Sequence, residues 1–231
     1  MNVAETLITV PQANELEPIL ATFAAAGYRP RSLLLGRLEC HLFDELRMLF
    51  AVGGHAKTQH AVQTQHLIEQ RATVQAVICT GAAGSLGVEL ALGDVVVGVS
   101  TVEHDYKLRF VRRPLPRYDA DVQLVDEFRL AASQIGSQFR VLFGAIASGD
   151  EDIIDPARAA ELQEATGALC VAWEGAGAAR AARFSGLHFL EVRAITDGAN
   201  HTAAVDFQTN LRHSMPNLAQ ILLKWSLLRG G

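Results

Sequence analysis

The sequence predicts a single α/β domain built around a largely parallel or mixed β-sheet, and three observations indicate this class. Short apolar runs rich in β-branched residues recur along the chain, as is typical of strands covered on both faces. Stretches with helical periodicity lie between many of these runs. No internal repeat and no Gly/Ser-rich or Pro-rich linker divides the chain, so residues 1–231 are expected to form one domain.

The predicted elements alternate along the chain. Strands are expected at residues 7–10, 74–80, 94–100, 139–148, 168–173 and 187–196. Helices are expected at residues 57–70, 157–166, 176–184 and 217–228. Asp155 as N-cap and Pro156 in the first turn mark the start of the second helix. Residues 107–118, with the sequence KLRFVRRPLPRY, break this alternation and are expected to form a long basic loop.

Composition excludes several classes of protein. The formal net charge of −5 argues against a nucleic-acid-binding surface, and no stretch is long and apolar enough to span a membrane. The first residues lack the features of a signal peptide. The three cysteines show no metal-like spacing, and Cys79 and Cys170 lie in apolar runs that suit buried thiols in a reducing compartment. We therefore expect a soluble cytoplasmic protein without a bound metal.

Candidate functional groups lie where the predicted strands end, as is typical of α/β folds. Four strand ends carry polar or glycine-rich segments: TGAAGSLG (80–87), SGDEDIID (148–155), AWEGAGAA (172–179) and RAITDGAN (193–200). The segment VPQANELEPIL (10–20) follows the first strand and adds two glutamates. Together these segments offer carboxylates, one arginine and backbone that a ligand can approach closely.

Each of these groups also has a purely structural interpretation. Residues 80–87 lack the lysine and spacing of a phosphate-binding loop, and a tight strand–helix turn is favoured over a ligand-binding turn. Glu174 could either stabilise a helix N-terminus or accept hydrogen bonds from the vicinal hydroxyls of a ribose. Glu15 and Glu17 would share one face in a strand but diverge in a helix. Arg193 could form an ion pair at a strand end.

Taken in order, these motifs resemble the nucleoside phosphorylase/nucleosidase superfamily, and within it the methylthioadenosine/S-adenosylhomocysteine nucleosidases. The similarity extends from about residue 6 to the C-terminus and is carried by ELEPIL, TGAAGSL with LGDVVV, VEHD, ASGD, WEGA and RAITDGAN. It implies a three-layer α/β/α fold with a central mixed, barrel-like β-sheet, and a homodimer. It also implies a hydrolase that cleaves the N-glycosidic bond of a purine nucleoside and needs no cofactor.

The resemblance further implies roles for individual residues. Asp197 would protonate the purine ring nitrogen, Glu15 would activate the attacking water, and Arg193 would help to hold that water or the sugar. Glu174 would bind the ribose hydroxyls, with Trp173 beside it. The substrate-binding set would be completed by Gly54, His55, Gly81, Ala82, Gly84, Asp152, Ile153 and Thr196.

Two positions depart from the pattern of the phosphorylases within this superfamily. Cys79 replaces an arginine that holds phosphate, and Ala82 replaces a serine that follows the first glycine. Both losses favour water over phosphate as the nucleophile. A phosphate-dependent phosphorylase and a catalytically silent nucleoside-binding protein are the alternative functions.

Other departures concern the substrate. Asp152 stands where the nucleosidases place an aromatic ring to stack on the base, and Trp173 stands where a methionine is typical. His55 replaces a small apolar residue that lines the pocket for the 5′ substituent. The basic loop is either solvated or lent by a dimer partner to a polar or anionic 5′ group, such as that of futalosine, and its cationic residues are Lys107, Arg109, Arg112, Arg113 and Arg117.

Overall fold

The computed structural model describes residues 5–87, 90–111, 113–136 and 138–229. Its strands are β1 (Glu5–Val10), β2 (Arg31–Leu35), β3 (Leu38–Phe43), β4 (Met48–Val52), β5 (Val74–Ser85), β6 (Val95–Glu103), β7 (Arg117–Asp119), β8 (Val141–Ser148), β9 (Ala168–Ala172) and β10 (His188–Asp197). Its helices are α1 (Ala13–Ala25), α2 (Ala56–Gln70), α3 (Val122–Ser133), α4 (Pro156–Thr166), α5 (Gly175–Phe184) and α6 (Ala203–Arg229).

Five of the strands close into a mixed barrel. β5 pairs in parallel with β10, which runs antiparallel to β6; β6 and β8 are parallel, as are β8 and β9. The ring closes where β9 runs antiparallel to the last two residues of β5, Gly84 and Ser85. β1 pairs with the first half of β5 on the edge opposite β10, and the sheet continues from β1 through β4, β3 and β2. The expected barrel-like mixed sheet is confirmed.

Helices cover both faces of this sheet because alternate residues of its strands point to opposite sides. Ile78 belongs to a hydrophobic cluster with Phe23 of α1, Phe128 of α3 and Trp225 of α6. The neighbouring residues of β5 belong to a second cluster, which contains residues of α2 and α5. The sequence pattern thus produces helical layers on both sides of the sheet.

The strand predictions agree with β1, β5, β6, β8, β9 and β10, and the helix predictions with α2, α4, α5 and the second half of α6. Asp155 caps α4 as expected, since its side chain accepts a hydrogen bond from the backbone N–H of Ala157 at 2.9 Å. The sequence analysis missed the strands β2, β3, β4 and β7, the helices α1 and α3, and the first half of α6. β7 begins at Arg117, within the end of the expected basic loop. All three cysteines are free and buried, which confirms the expectation for Cys79 and Cys170.

The interpretation of residues 80–87 as a tight strand–helix turn is wrong. β5 continues through this segment to Ser85. It remains paired with β10 on one edge as far as Gly84, and on the opposite edge Gly84 and Ser85 pair with β9. Gly81 and Gly84 therefore lie within a strand, and Gly87 lies in the bend that follows it. No helix in the described part of the chain is long and apolar enough to cross a lipid bilayer.

Candidate active site

A cavity of about 570 Å³ opens where β1, β4, β5, β8, β9 and β10 end. Ten residues of the expected site line it: Glu15, His55, Ala82, Gly84, Asp152, Ile153, Trp173, Glu174, Thr196 and Asp197. The structure thus brings together segments that are far apart in the sequence. Three further residues of the expected set, Gly54, Gly81 and Arg193, do not line this cavity.

Glu15 projects from the first turn of α1 into the cavity wall and is only 2% exposed. Its Oε2 atom accepts a hydrogen bond from the backbone N–H of Ala82 at 2.7 Å. Residues two apart on a helix point in nearly opposite directions, so Glu17 is exposed to solvent on the other side. The helical conformation of this segment therefore brings Glu15, and not Glu17, to the cavity.

The environment of Glu15 suits a group that exchanges a proton. Burial, followed by the negative charge of Glu174, raises the pKa of Glu15 from 4.5 to about 8. Gly81 makes the close approach possible, since a Cβ atom at this position would lie 2.5 Å from Oε2 of Glu15. Gly81 also has a φ angle of +139°, which favours glycine. Gly81 thus lies against the carboxylate of Glu15 and does not line the cavity.

Asp197 ends β10 and is 8% exposed. The Thr196 hydroxyl donates a hydrogen bond to Oδ2 at 2.9 Å, and the backbone N–H of Ala199 donates one to Oδ1 at 3.0 Å. Burial raises the pKa of Asp197, and these two hydrogen bonds oppose the shift without cancelling it. A buried carboxyl with a raised pKa is suited to hold a proton that it can donate to a ligand.

Glu174 lies between β9 and α5 and is 3% exposed. Burial alone would raise its pKa, but the hydrogen bond from His55 and the charge of Arg193 outweigh burial and lower the pKa to about 2. The carboxylate makes no side-chain cap to α5. The lowered pKa means that Glu174 is ionised, and its carboxylate lines the cavity, where it can accept hydrogen bonds from hydroxyl groups.

His55 and Trp173 form one wall beside Glu174. Their rings lie 4.2 Å apart between centroids, and Nδ1 of His55 lies 3.5 Å from Oε1 of Glu174. The hydrogen bond to Glu174 raises the pKa of His55. Among the described residues that line the cavity, His55 is the only side chain able to carry a positive charge, whereas five carry carboxylates: Glu15, Glu151, Asp152, Glu174 and Asp197.

Arg193 is fully buried beneath the cavity and does not line it. Its Nη2 atom lies 3.2 Å from Oε2 of Glu174, and its Nε donates to Oε1 of Glu191 at 2.9 Å. Nη1 reaches the backbone carbonyl of Ala82 at 3.4 Å. Protein groups surround the guanidinium, and two of its partners, Ala82 and Glu174, line the cavity.

Gly54 lies outside the main cavity and lines a neighbouring open pocket with Gln59 and Gln63. None of the described residues of the basic loop lines the cavity either. Lys107, Arg109 and Arg113 are exposed, and Arg112 lies outside the described residues. Arg117 belongs to β7 and donates a hydrogen bond to Oγ of Ser100 at 2.6 Å.

Sequence reasoning missed several residues at or near this site. Glu191 interrupts the apolar run LHFLEV, and a charge inside a strand covered on both faces was a signal that could have identified it. Pro11 and Phe207 line the cavity without any comparable signal in the sequence. The described residues contain no group of three or more His, Cys, Asp or Glu side chains that could hold a metal ion.

The family model described as the phosphorylase superfamily matches residues 6–225, and the chain belongs to this superfamily. A 5′-methylthioadenosine/S-adenosylhomocysteine nucleosidase from Shewanella halifaxensis (strain HAW-EB4) is 31% identical over 204 residues, which cover 83% of this chain and 87% of the relative. The resemblance drawn from the motifs is thereby confirmed.

Solved structures of two Helicobacter pylori enzymes are similar over nearly the whole chain. One is a 5′-methylthioadenosine/S-adenosylhomocysteine nucleosidase in complex with a pyrrolopyrimidine-substituted pyrrolidinol; the TM-score is 0.87 at 25% identity, with 97% of this chain and 98% of that chain covered. The other is a futalosine hydrolase, with a TM-score of 0.86 at 25% identity and coverage of 96% and 97%. Both relatives share the fold that positions the cavity.

Proposed function

We propose that the protein hydrolyses the N-glycosidic bond of a purine nucleoside modified at its 5′ position and releases the free base. One observation carries this proposal: two buried carboxyl groups with raised pKa, Glu15 and Asp197, line the same cavity as the ionised Glu174. The names of the relatives, nucleosidases and a futalosine hydrolase, support the same reaction class.

Each carboxyl group has a distinct task in this reaction. The bond between the anomeric carbon and the base nitrogen breaks, and Asp197 gives its proton to the base as negative charge develops there. A water oxygen forms the new bond to the anomeric carbon and loses a proton to Glu15, which accepts it in the ionised form. Each such acid or base contributes about 10²–10⁴-fold to the rate. Glu174 accepts hydrogen bonds from the ribose hydroxyls, and its charge stabilises the cation that forms on the sugar.

The charges around the cavity favour water over phosphate as the nucleophile. Burial raises the pKa of Cys79, so this residue is a neutral thiol where phosphorylases place an arginine. No lysine or arginine occurs among the described residues that line the cavity, whereas carboxylates are abundant. A phosphate dianion would therefore meet mainly repulsion.

The exposed surface supports a homodimer, which we include in the proposal. Tyr106, Leu108, Phe110 and Val111 expose apolar side chains in one short loop, and Phe110 is fully exposed. Apolar clusters of this kind are typical of protein–protein contacts.

Three buried free thiols further support a location in the reducing cytoplasm. Residues from β1 to α6 contribute to the cavity, which supports one domain as the functional unit.

A panel of nucleosides tests the reaction. Methylthioadenosine, S-adenosylhomocysteine, futalosine, adenosine and inosine are incubated with the protein, with and without phosphate, and the released base is measured by chromatography. Release without phosphate, abolished by Asp197→Asn, is the expected result. Release that requires phosphate would identify a phosphorylase instead, and binding without release from any nucleoside would identify a binding protein.

A further inference from the structure

Glu191 is a buried carboxylate to which the reaction described above assigns no task. It lies on β10, two residues before Arg193, and is 1% exposed. Side chains two residues apart on a strand point to the same face, so Glu191 and Arg193 meet inside the barrel. A carboxylate in this position would be costly to bury without partners.

Both oxygens of Glu191 have partners. Oε1 accepts a hydrogen bond from Nε of Arg193 at 2.9 Å, and Oε2 accepts one from the Thr101 hydroxyl at 2.5 Å. Burial raises the pKa of Glu191, and the charge of Arg193 together with the hydrogen bond from Thr101 opposes this shift. The contact with the guanidinium of Arg193, which donates and cannot accept, favours the ionised form of Glu191. Gly175, the residue after Glu174, provides the space, since a Cβ atom there would lie 2.0 Å from Oε2 of Glu191.

Arg193 is consequently held from two sides. Nε contacts Glu191, and Nη2 contacts Glu174 at 3.2 Å and Sγ of Cys79 at 3.3 Å. Of the two carboxylates, Glu174 alone lines the cavity. One guanidinium shared between two carboxylates leaves the trio with a net negative charge, whereas Arg193 paired with Glu174 alone would be neutral.

We propose that Glu191 is a positioning residue: it orients and neutralises Arg193, so that Glu174 presents its negative charge to the sugar. The inference rests on the proposed function, because this charge matters most when a cation forms on the ribose. Glu191 therefore acts from beneath the site, through Arg193, without touching the substrate.

The charges around Glu191 and Arg193 predict how the pKa of Glu15 changes when the charge of Glu191 is removed. Glu191 faces Arg193 on its own strand, and its charge also acts on Cys79 of β5, Cys170 of β9 and Glu174. Glu15 in turn interacts with Glu174, Arg193 and His55. When the charge of Glu191 is removed, the positive charge of Arg193 is less compensated. The pKa of Glu15 should then fall below its value of about 8.

Glu191→Gln tests the proposal, because its amide oxygen can still accept a hydrogen bond from Arg193 while the charge is lost. We expect kcat to fall about 10-fold or more with KM little changed, since the lost interaction strengthens in the transition state. We also expect a lower pKa for Glu15, measured by ¹³C NMR of its carboxyl carbon and assigned with Glu15→Gln.

Glu5→Gln is the matched control. Glu5 likewise accepts hydrogen bonds from an arginine and a threonine, Arg71 at 2.7 Å and Thr73 at 3.0 Å, but lies at the start of β1 and not at the cavity. This variant should leave both kcat and the pKa of Glu15 unchanged.

Thr101→Val provides a second test if Glu191→Gln does not fold. It removes the hydrogen bond that Thr101 donates to Glu191 but leaves the charge of Glu191 in place. We expect turnover to be several-fold slower in this variant.

The outcomes separate this proposal from the proposed function. Folded Glu191→Gln with wild-type kcat would overturn it, and so would slower turnover with an unchanged pKa of Glu15, which would indicate a merely structural role. Wild-type kcat in Thr101→Val would overturn it as well. If the wild-type protein releases no base, the proposed function fails, whereas the NMR titration still tests the electrostatic effect of Glu191 on Glu15.

Discussion

The Oδ1 atom of Asp197 lies only 2.7 Å from the point that a Cβ atom on Gly84 would occupy. Gly84 pairs with Asp197 across β5 and β10, where the register of the two strands shifts after Ile195. The missing side chain of Gly84 thus allows the carboxylate to lie against β5. Gly81 has the same relationship to Glu15, so two glycines of one strand make room for the two proposed proton-transfer groups.

Gly84→Ala should displace Asp197 and lower kcat about 10–100-fold, because small errors in the position of a catalytic group are costly. The added methyl group would also lie 3.2 Å from Cβ of Ala199, which limits any relaxation. Steady-state kinetics of base release provides the measurement. Gly136→Ala is the control, since no atom lies within 4 Å of its added Cβ. Equal kcat in the two variants would contradict this explanation.

Glu15→Gln should abolish most base release, with a loss of about 10²–10⁴-fold in kcat, because the variant cannot accept a proton from water. Glu17→Gln on the same helix should behave as wild type, since Glu17 is exposed and does not line the cavity. Single-turnover assays of the two variants provide the comparison. A greater loss in Glu17→Gln would reverse the assignment.

The raised pKa of Glu15 should also make the stability of the protein depend on pH. Between the ordinary value of 4.5 and the folded value of about 8, the folded protein binds more protons at this residue than the unfolded chain. Its contribution to stability is therefore full below about pH 4.5 and decreases as the pH rises to about 8, by a few kcal/mol.

Glu15→Gln removes this pH-dependent loss of stability, because glutamine does not titrate. The melting temperature of the variant relative to wild type should therefore be higher at about pH 8 than at about pH 5. Differential scanning fluorimetry at both pH values measures the difference, with Glu17→Gln as the control. A difference that is the same at both pH values would show that Glu15 has no raised pKa in the folded protein.

Asp152→Phe should improve the binding of neutral purine nucleosides. Asp152 lines the cavity at the position where the resemblance places an aromatic ring, and a base stacked on a ring gains about 1–3 kcal/mol. KM for methylthioadenosine should fall accordingly. Asp152→Ala separates the effect of the ring from that of the lost charge. If both variants lower KM equally, stacking is not the cause.

Arg109→Ala and Arg113→Ala test whether the basic loop of a partner subunit contacts the substrate. Because a cation stabilises only a charged group strongly, KM should rise for futalosine, whose 5′ group is anionic, and stay unchanged for methylthioadenosine. Arg37→Ala, at an exposed position outside the loop, is the control. Equal effects on both nucleosides would exclude the contact.

Local patterns in the sequence were sufficient to predict most of the elements. The apolar runs of β5, β6 and β10 and the capping pair before α4 depend on neighbouring residues alone. β2 was missed because it is an edge strand with little buried surface, and its apolar run of three leucines, 33–35, is too short to distinguish a strand. The helix α1 was missed because its first turn follows directly on β1.

The sequence by itself determined the fold class, the family resemblance and ten of the residues that line the cavity, because periodicity and motifs are contained in short segments. Tertiary structure alone decided that Glu15 rather than Glu17 enters the cavity, where it meets Ala82, 67 residues away. It also decided that Arg193 lies beneath Glu174 and is shared with Glu191. These relationships depend on the register between distant strands and on which groups are removed from water, and neither is encoded in any single segment.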